Sequence, residues 1–141
     1  MTQHSVSVAA VVTDETGRVL VIQRHDDGVW QIPGGVLELD ESIQAGVRRE
    51  VEEETGLLIE PHRLTGIYKN IRRGVVALVF RARVVGGRTQ PTNESTAVEW
   101  WPPDRVAADM PETFAVRVLD ALDSGEVAIR LHDGVQLLPE Q

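Results

Sequence analysis

The sequence predicts an α/β fold in which helices pack on both faces of a mixed β-sheet. Short runs rich in β-branched residues, separated by turn residues, recur from end to end, and two stretches switch to a helical period. One helical stretch lies mid-chain and the other near the C-terminus, so strands flank both. With 141 residues the chain can form one sizeable core and is too short for two ordinary domains. A single domain over residues 1–141 is expected.

Ser5 to Thr13 reads as a strand, and Asp14-Glu15-Thr16-Gly17 turns the chain into a second apolar run, Val19 to Ile22, which predicts a hairpin. Trp30 to Ile32 is a short strand stopped by Pro33-Gly34-Gly35, where the prolyl ring and two glycines predict a loop. Ser42 is a candidate N-cap; Ile43, Val47 and Val51 recur every four residues, and Gly56 supplies a stop, giving a helix of about thirteen residues. Leu57-Leu58-Ile59 follows, then Leu64 to Ile71 and Val75 to Val85 as strands joined across Asn70 to Gly74. Gly86 to Ser95 is a surface loop, and Ala97 to Trp101 a strand ended by Pro102-Pro103. Pro111-Glu112 opens a second helix, Thr113 to Leu122, with Phe114, Val118, Leu119 and Leu122 as its apolar face. Val127 to Leu138 reads as a weak hairpin around Asp133-Gly134.

Charge and composition exclude several functions. A formal charge of −8 without a basic run argues against a nucleic-acid polymer as partner, because counterion release needs clustered Lys and Arg. The absence of cysteine removes disulfides, thiolate metal sites and a cysteine nucleophile. Val6 to Val12 is far too short to span a membrane and lacks the positive residues that open a signal peptide. A cytoplasmic protein with no membrane partner is expected.

Seven acids against two bases lie between Glu38 and Glu54, a local balance of −5. Like charges three or four residues apart cost a helix a few tenths of a kcal/mol per pair, so "REVEEETG" needs an offset. On a helix Glu50, Glu53 and Glu54 share an arc of about 100°, whereas Glu52 points elsewhere. The apolar arc of Ile43, Val47 and Val51 lies beside these three and draws them toward the protein body, where unpartnered charge is costly. A hard divalent cation such as Mg²⁺ or Mn²⁺, with its preference for oxygen ligands, would neutralise them; water on a solvated acidic face is the other reading of the run alone.

The surrounding frame separates the two. From Gly35 the chain runs "GVLELDESIQAGVRREVEEETGL": Gly35, five residues, Glu41, seven residues, Arg49-Glu50, apolar Val51, one residue, Glu53-Glu54, one residue, Gly56, apolar Leu57. This resembles the Nudix box of the Nudix hydrolases at all seven fixed identities and both apolar positions. "WQIPGG" before it and "ESTAVEWWPPDRV" after it are similar to the strands that flank the box in that family. The resemblance implies the Nudix fold, an α/β/α sandwich with a mixed β-sheet, and dependence on Mg²⁺ or Mn²⁺. It implies hydrolysis of a diphosphate linkage in a nucleoside diphosphate derivative by water attack on phosphorus. The frequency of substrates among short box-containing chains favours a (deoxy)nucleoside triphosphate or similar small nucleotide. An ADP-ribose or nucleotide-sugar pyrophosphatase is the alternative, and a non-catalytic nucleotide-binding regulatory module is the alternative of another class.

By the same resemblance Glu50, Glu53 and Glu54 are metal ligands, with Glu50 or Glu53 also a candidate base for the attacking water. Glu94 is the candidate for a further catalytic or metal-binding carboxylate from the late loop, with Glu99 as its rival. Glu41 stands in the outer shell, and the Arg49 fork is expected to hold carboxylates or loop carbonyls and so fix the helix against the loop. Gly35 and Gly56 are expected to let the chain turn at each end of the motif. Gly46, inside the helix, leaves room at the site or has no role. Arg24 resembles an arginine near the substrate, with a surface ion pair as the other reading. Tyr68, like Trp30, Trp100 and Phe80, could stack on a base or belong to the core. The histidines show no ligand spacing, and the oligomeric state is open between monomer and homodimer.

Overall fold

A computed structural model describes residues 1–140. Its central strand, β1 (Ser5–Val12), is apolar on both faces: Val8, Ala10 and Val12 point one way, Ala9 and Val11 the other, and all five are buried. A strand buried twice requires a cover on each side. On one side lies α1 (Ile43–Thr55), which packs Val47 and Val51 against Val8, Ala10 and Val12. On the other, α3 (Glu112–Leu122) packs Ala115, Val118 and Ala121 against Ala9 and Val11. The α/β/α layering expected from the sequence is present.

The sheet layer divides in two. β1, β4 (Gly34–Val36), β5 (Leu57–Asn70), β6 (Val75–Gly87), β8 (Ala128–His132) and β9 (Leu137–Leu138) form a mixed sheet in the order β4-β1-β6-β5-β8-β9. The pairs β1·β6 and β5·β8 are parallel and the others antiparallel. A second, antiparallel sheet has the order β3-β2-β7, from β3 (Trp30–Gln31), β2 (Val19–Arg24) and β7 (Ser95–Trp101).

Several expectations need correcting. The apolar runs at the N-terminus do not form a paired hairpin: β1 and β2 belong to different sheets, and the ladder between them is reduced to a bridge between Thr13 and Val19. Val19 to Ile22 are all buried, so no polar alternation reveals which sheet the strand joins. Gly34 and Gly35 are not in a loop; they pair with Ala9 and Val8 as an edge strand, where Pro33 costs no interior ladder bond. A Cβ at Gly34 would sit 2.5 Å from the Val8 carbonyl oxygen, so the strand closes only because the residue is glycine. Pro103 does more than end β7. It opens α2 (Pro103–Asp109), where its missing N–H is not needed, and Val106 of that helix enters the core. The segments expected at Leu57 to Ile59 and Leu64 to Ile71 are one strand, β5, whose register shifts near Pro61 and Gly66 absorb the two breakers.

Other elements follow the sequence closely. Ser42 caps α1 by accepting from Ala45 N at 3.1 Å, and Gly56 ends it at φ 82°. The β5–β6 turn is held by Asn70 Oδ1, which accepts from the amides of Arg72 and Arg73 at 3.1 and 3.2 Å. The late hairpin forms as β8 and β9. Among the described residues no helix is long and apolar enough to cross a membrane.

Candidate active site

The core stripe of α1 sorts its glutamates by depth. Because Val47 and Val51 face the sheet, Glu50 and Glu54 on the neighbouring arc are drawn down to 8% and 3% exposure, while Glu52 and Glu53 stay exposed. Glu50 enters because β4 has no side chain in its way: a Cβ on Gly35 would lie 2.5 Å from Glu50 Oε2. Gly35 has no positive φ, so its role is clearance for a carboxylate and not the turn expected from the sequence. Gly35→Ala should therefore leave the fold intact but displace Glu50, lowering turnover by about 10²-fold or more, as a shift of about 1 Å at a reacting group does. Circular dichroism and steady-state assay on the same preparation check this; full activity would overturn it.

Glu54 lies deepest. Its Oε1 accepts from Gly34 N at 2.6 Å, but burial, with the charges of Glu50 and Glu94 adding to it, pushes its pKa up to about 8. Burial also raises the Glu50 pKa, against the pull of the Arg49 guanidinium and with the push of Glu53 and Glu94. Glu94 comes from the loop before β7. One carboxylate oxygen from each of Glu50, Glu53 and Glu94 lies within 4.8 Å of the others. Glu99 is elsewhere: its Oε1 accepts from Trp101 Nε1 at 2.8 Å and stands 3.9 Å from Arg105. Of the two rivals, Glu94 is the one brought to the cluster.

Arg49 ties these parts together. Its Nε and Nη2 grip both oxygens of Glu41 at 2.9 and 2.6 Å, Nη2 also donates to the Val36 carbonyl at 3.1 Å, and Nη1 donates to Glu50 at 2.8 Å and Glu53 at 3.3 Å. These bonds hold the Glu41 carboxyl down at about 2. Gly46 makes room for this grip, since a Cβ there would meet Leu37 Cδ1 at 2.6 Å and Glu41 Oε1 at 2.9 Å. The roughly 1 kcal/mol that a mid-helix glycine costs is offset by the approach of the loop.

The carboxylates open into a cleft of about 510 Å³. Its lining combines Glu50 and Glu54 of α1 and Gly34, Gly35 and Val36 of β4 with Arg24, His25, Asp26, Asn93 and Glu94. Both readings of Arg24 hold together: it lines the cleft, and it forms a two-pronged pair with Asp26 at 2.9 and 2.8 Å. His25, Asp26 and Asn93 were not marked by any sequence signal beyond their position at strand ends. Tyr68 is a correction. It is fully buried in the core on the α3 side, and its hydroxyl donates to Asp120 Oδ2 at 2.8 Å, so it does not reach the cleft. Tyr68→Phe should cost about 1 kcal/mol of stability, the ordinary value of one hydrogen bond, with turnover and KM unchanged; a changed KM would restore a substrate role.

The donor set suits a hard divalent cation. Its ligand atoms are all carboxylate oxygens, and Glu50 is desolvated beside two like charges that Arg49 alone does not balance.

A helix carrying a carboxylate trio is thus packed on a glycine edge strand in an α/β/α sandwich. The model described as NUDIX domain matches residues 3–122, and the chain belongs to the Nudix family as a diphosphohydrolase. It is 56% identical over 136 residues to a MutT-like protein of Streptomyces ambofaciens, covering 96% of this chain and 88% of that one. It is 38% identical over 104 residues to an 8-oxo-dGDP phosphatase of Mus musculus, covering 67% of this chain but only 31% of that protein. The crystal structure of an ADP-ribose pyrophosphatase from Streptococcus suis, 24% identical, superimposes with a TM-score of 0.73 over 92% of this chain and 100% of that one, and so shares the fold.

Proposed function

We propose that the protein hydrolyses a diphosphate linkage in a small nucleotide, a (deoxy)nucleoside triphosphate before others, by attack of water on phosphorus. The observation that carries this reading is the approach of Glu50, Glu53 and Glu94 to within 4.8 Å at the cleft. These three would hold Mg²⁺ or Mn²⁺. Glu54, with Oε1 engaged by Gly34, offers its remaining oxygen to the same set. When bound, the cation supplies the positive charge through which an acidic cleft accepts a polyphosphate and polarises the reacting groups.

The chain's own residues do the rest. Glu50 and Glu53 are the candidate acceptors of the water proton, by their place beside Glu94 at the cleft. Arg49 keeps Glu50 oriented. Arg24, with two donors on Asp26, directs its remaining N–H groups to the phosphates. The 8-oxo-dGDP phosphatase relative supports a nucleotide substrate, and the cytoplasm, where the nucleotide pool lies, is the proposed compartment. An ADP-ribose or nucleotide-sugar pyrophosphatase is the second substrate reading. Incubation with Mg²⁺ or Mn²⁺ and a panel of nucleoside triphosphates, ADP-ribose and nucleotide sugars, with release of phosphate, diphosphate and monophosphate measured, tests both. Fastest turnover of a triphosphate is expected; preference for ADP-ribose selects the second reading, and no turnover of any compound removes the enzymatic one.

A further inference from the structure

Glu94 is carried on a loop, where a carboxylate would ordinarily wander, yet it meets two helical glutamates within 4.8 Å. The backbone around it is pinned. Its N–H donates to Thr92 Oγ1 at 3.1 Å, and its carbonyl accepts from His25 N at 3.2 Å, at the end of β2. The loop also lies against the last turn of α1: Gln90 N donates to the Thr55 carbonyl at 2.9 Å. Gly56 permits that approach, since a Cβ there would stand 2.6 Å from the Arg88 carbonyl oxygen. The contact nearest Glu94 is made by Ser95. This residue is 1% exposed, and its Oγ donates at 2.7 Å to the carbonyl of Glu54, on the same helix as Glu50 and Glu53.

We infer that Ser95 is a positioning residue for the metal site: its hydroxyl clasps the loop to the last turn of α1 and sets the Glu94 carboxylate at ligand distance from Glu50 and Glu53. The clasp rests on the reading of those three glutamates as the metal-holding set. Ser95 is almost inaccessible to a replacing water, and a helix-end carbonyl needs a donor, so removing the hydroxyl takes away the tie between the Glu94 segment and the helix that bears Glu50 and Glu53, and leaves the Glu54 carbonyl unpaired. A shift of Glu94 relative to the helix would loosen the metal as loss of any orienting partner does, by about 10- to 100-fold.

The test reads Mn²⁺ affinity by titration calorimetry, beside turnover of a nucleoside triphosphate, in Ser95→Ala, Glu94→Gln and the double variant. Ser95→Ala alone is expected to weaken Mn²⁺ by about 10-fold or more, whereas in the Glu94→Gln background it should add less than about twofold, because the clasp acts through Glu94. Ser95→Thr, which keeps the hydroxyl, should stay near wild type, and Ser95→Val, equal in shape without it, should behave as Ser95→Ala. The Thr and Val pair carries the comparison if the alanine variant does not fold. Equal losses in both backgrounds would make the bond merely structural and overturn the inference. Wild-type affinity in Ser95→Ala beside a weakened Glu94→Gln would overturn the clasp alone. Wild-type affinity in Glu94→Gln would overturn the clasp together with the placement of Glu94 among the ligands.

Discussion

Glu53→Gln is expected to lower turnover by about 10³-fold while leaving the metal-free fold as stable as before or slightly more so. Glu53 is exposed and makes one contact in the metal-free site, the 3.3 Å bond from Arg49 Nη1. An exposed ion pair of this kind contributes roughly 0–1 kcal/mol, and its loss is offset by relief of the repulsion with Glu50 three residues earlier. The activity side is asymmetric. A ligand to a cation that stabilises developing charge on phosphorus carries about 4 kcal/mol of transition-state stabilisation, which is a factor of about 10³ in rate. Thermal melts in chelator and steady-state rates in Mg²⁺ check the two halves separately. An active, equally stable variant would remove Glu53 from the metal-holding set.

The second large effect is a dependence of metal-free stability on pH that runs opposite to the usual carboxylate pattern. Glu54 has a folded pKa of about 8 against an ordinary 4.5, so the fold prefers it protonated. Its contribution is fully present below pH 4.5 and disappears as the pH rises through 8; Glu50, also raised, adds in the same direction. Between pH 7 and 9 the chelated protein should lose about 1–2 kcal/mol, a fall of roughly 3–6 °C in Tm. Glu54→Gln should flatten this slope and raise the melting temperature at pH 9. Saturating Mg²⁺ should reverse the trend, because the ion binds the ionised carboxylates and releases the proton. A metal-free protein whose stability rises from pH 7 to 9 would show that Glu54 is ionised without the ion.

What could be read in the sequence depended on whether a residue leaves a periodic trace. The α1 helix, its Ser42 cap and Gly56 stop, and the inward turn of Glu50 and Glu54 follow from a 3.6-residue period with the core stripe beside the acids; the same inward turn expected of Glu53 is not found, and its side chain stays exposed at the edge of that arc. The division into two sheets left no such trace, since Val8 to Val12 and Val19 to Ile22 are uniformly apolar and buried on both faces. Gly34 and Gly35 look like a turn because residues selected for clearance and residues selected for φ freedom are the same residue type. Pro103 was ambiguous in the same way, since proline both stops a strand and starts a helix. In the site, the helical glutamates were legible from spacing and Glu94 only from resemblance, because a loop has no period to place it. Tyr68 stayed open between base stacking and the core for want of any signal telling which face of its strand an aromatic occupies, and the structure places it in the core.

Arg49 already stands among the carboxylates as a resident positive charge, bonded to Glu41, Glu50 and Glu53 before any ion arrives. The carboxylates are thereby held in place by a charge of the chain's own. An ion held by Glu50 and Glu53 would share both carboxylates with this guanidinium. A cation held there would meet carboxylates already oriented by an arginine, so its arrival would call for no refolding of the chain.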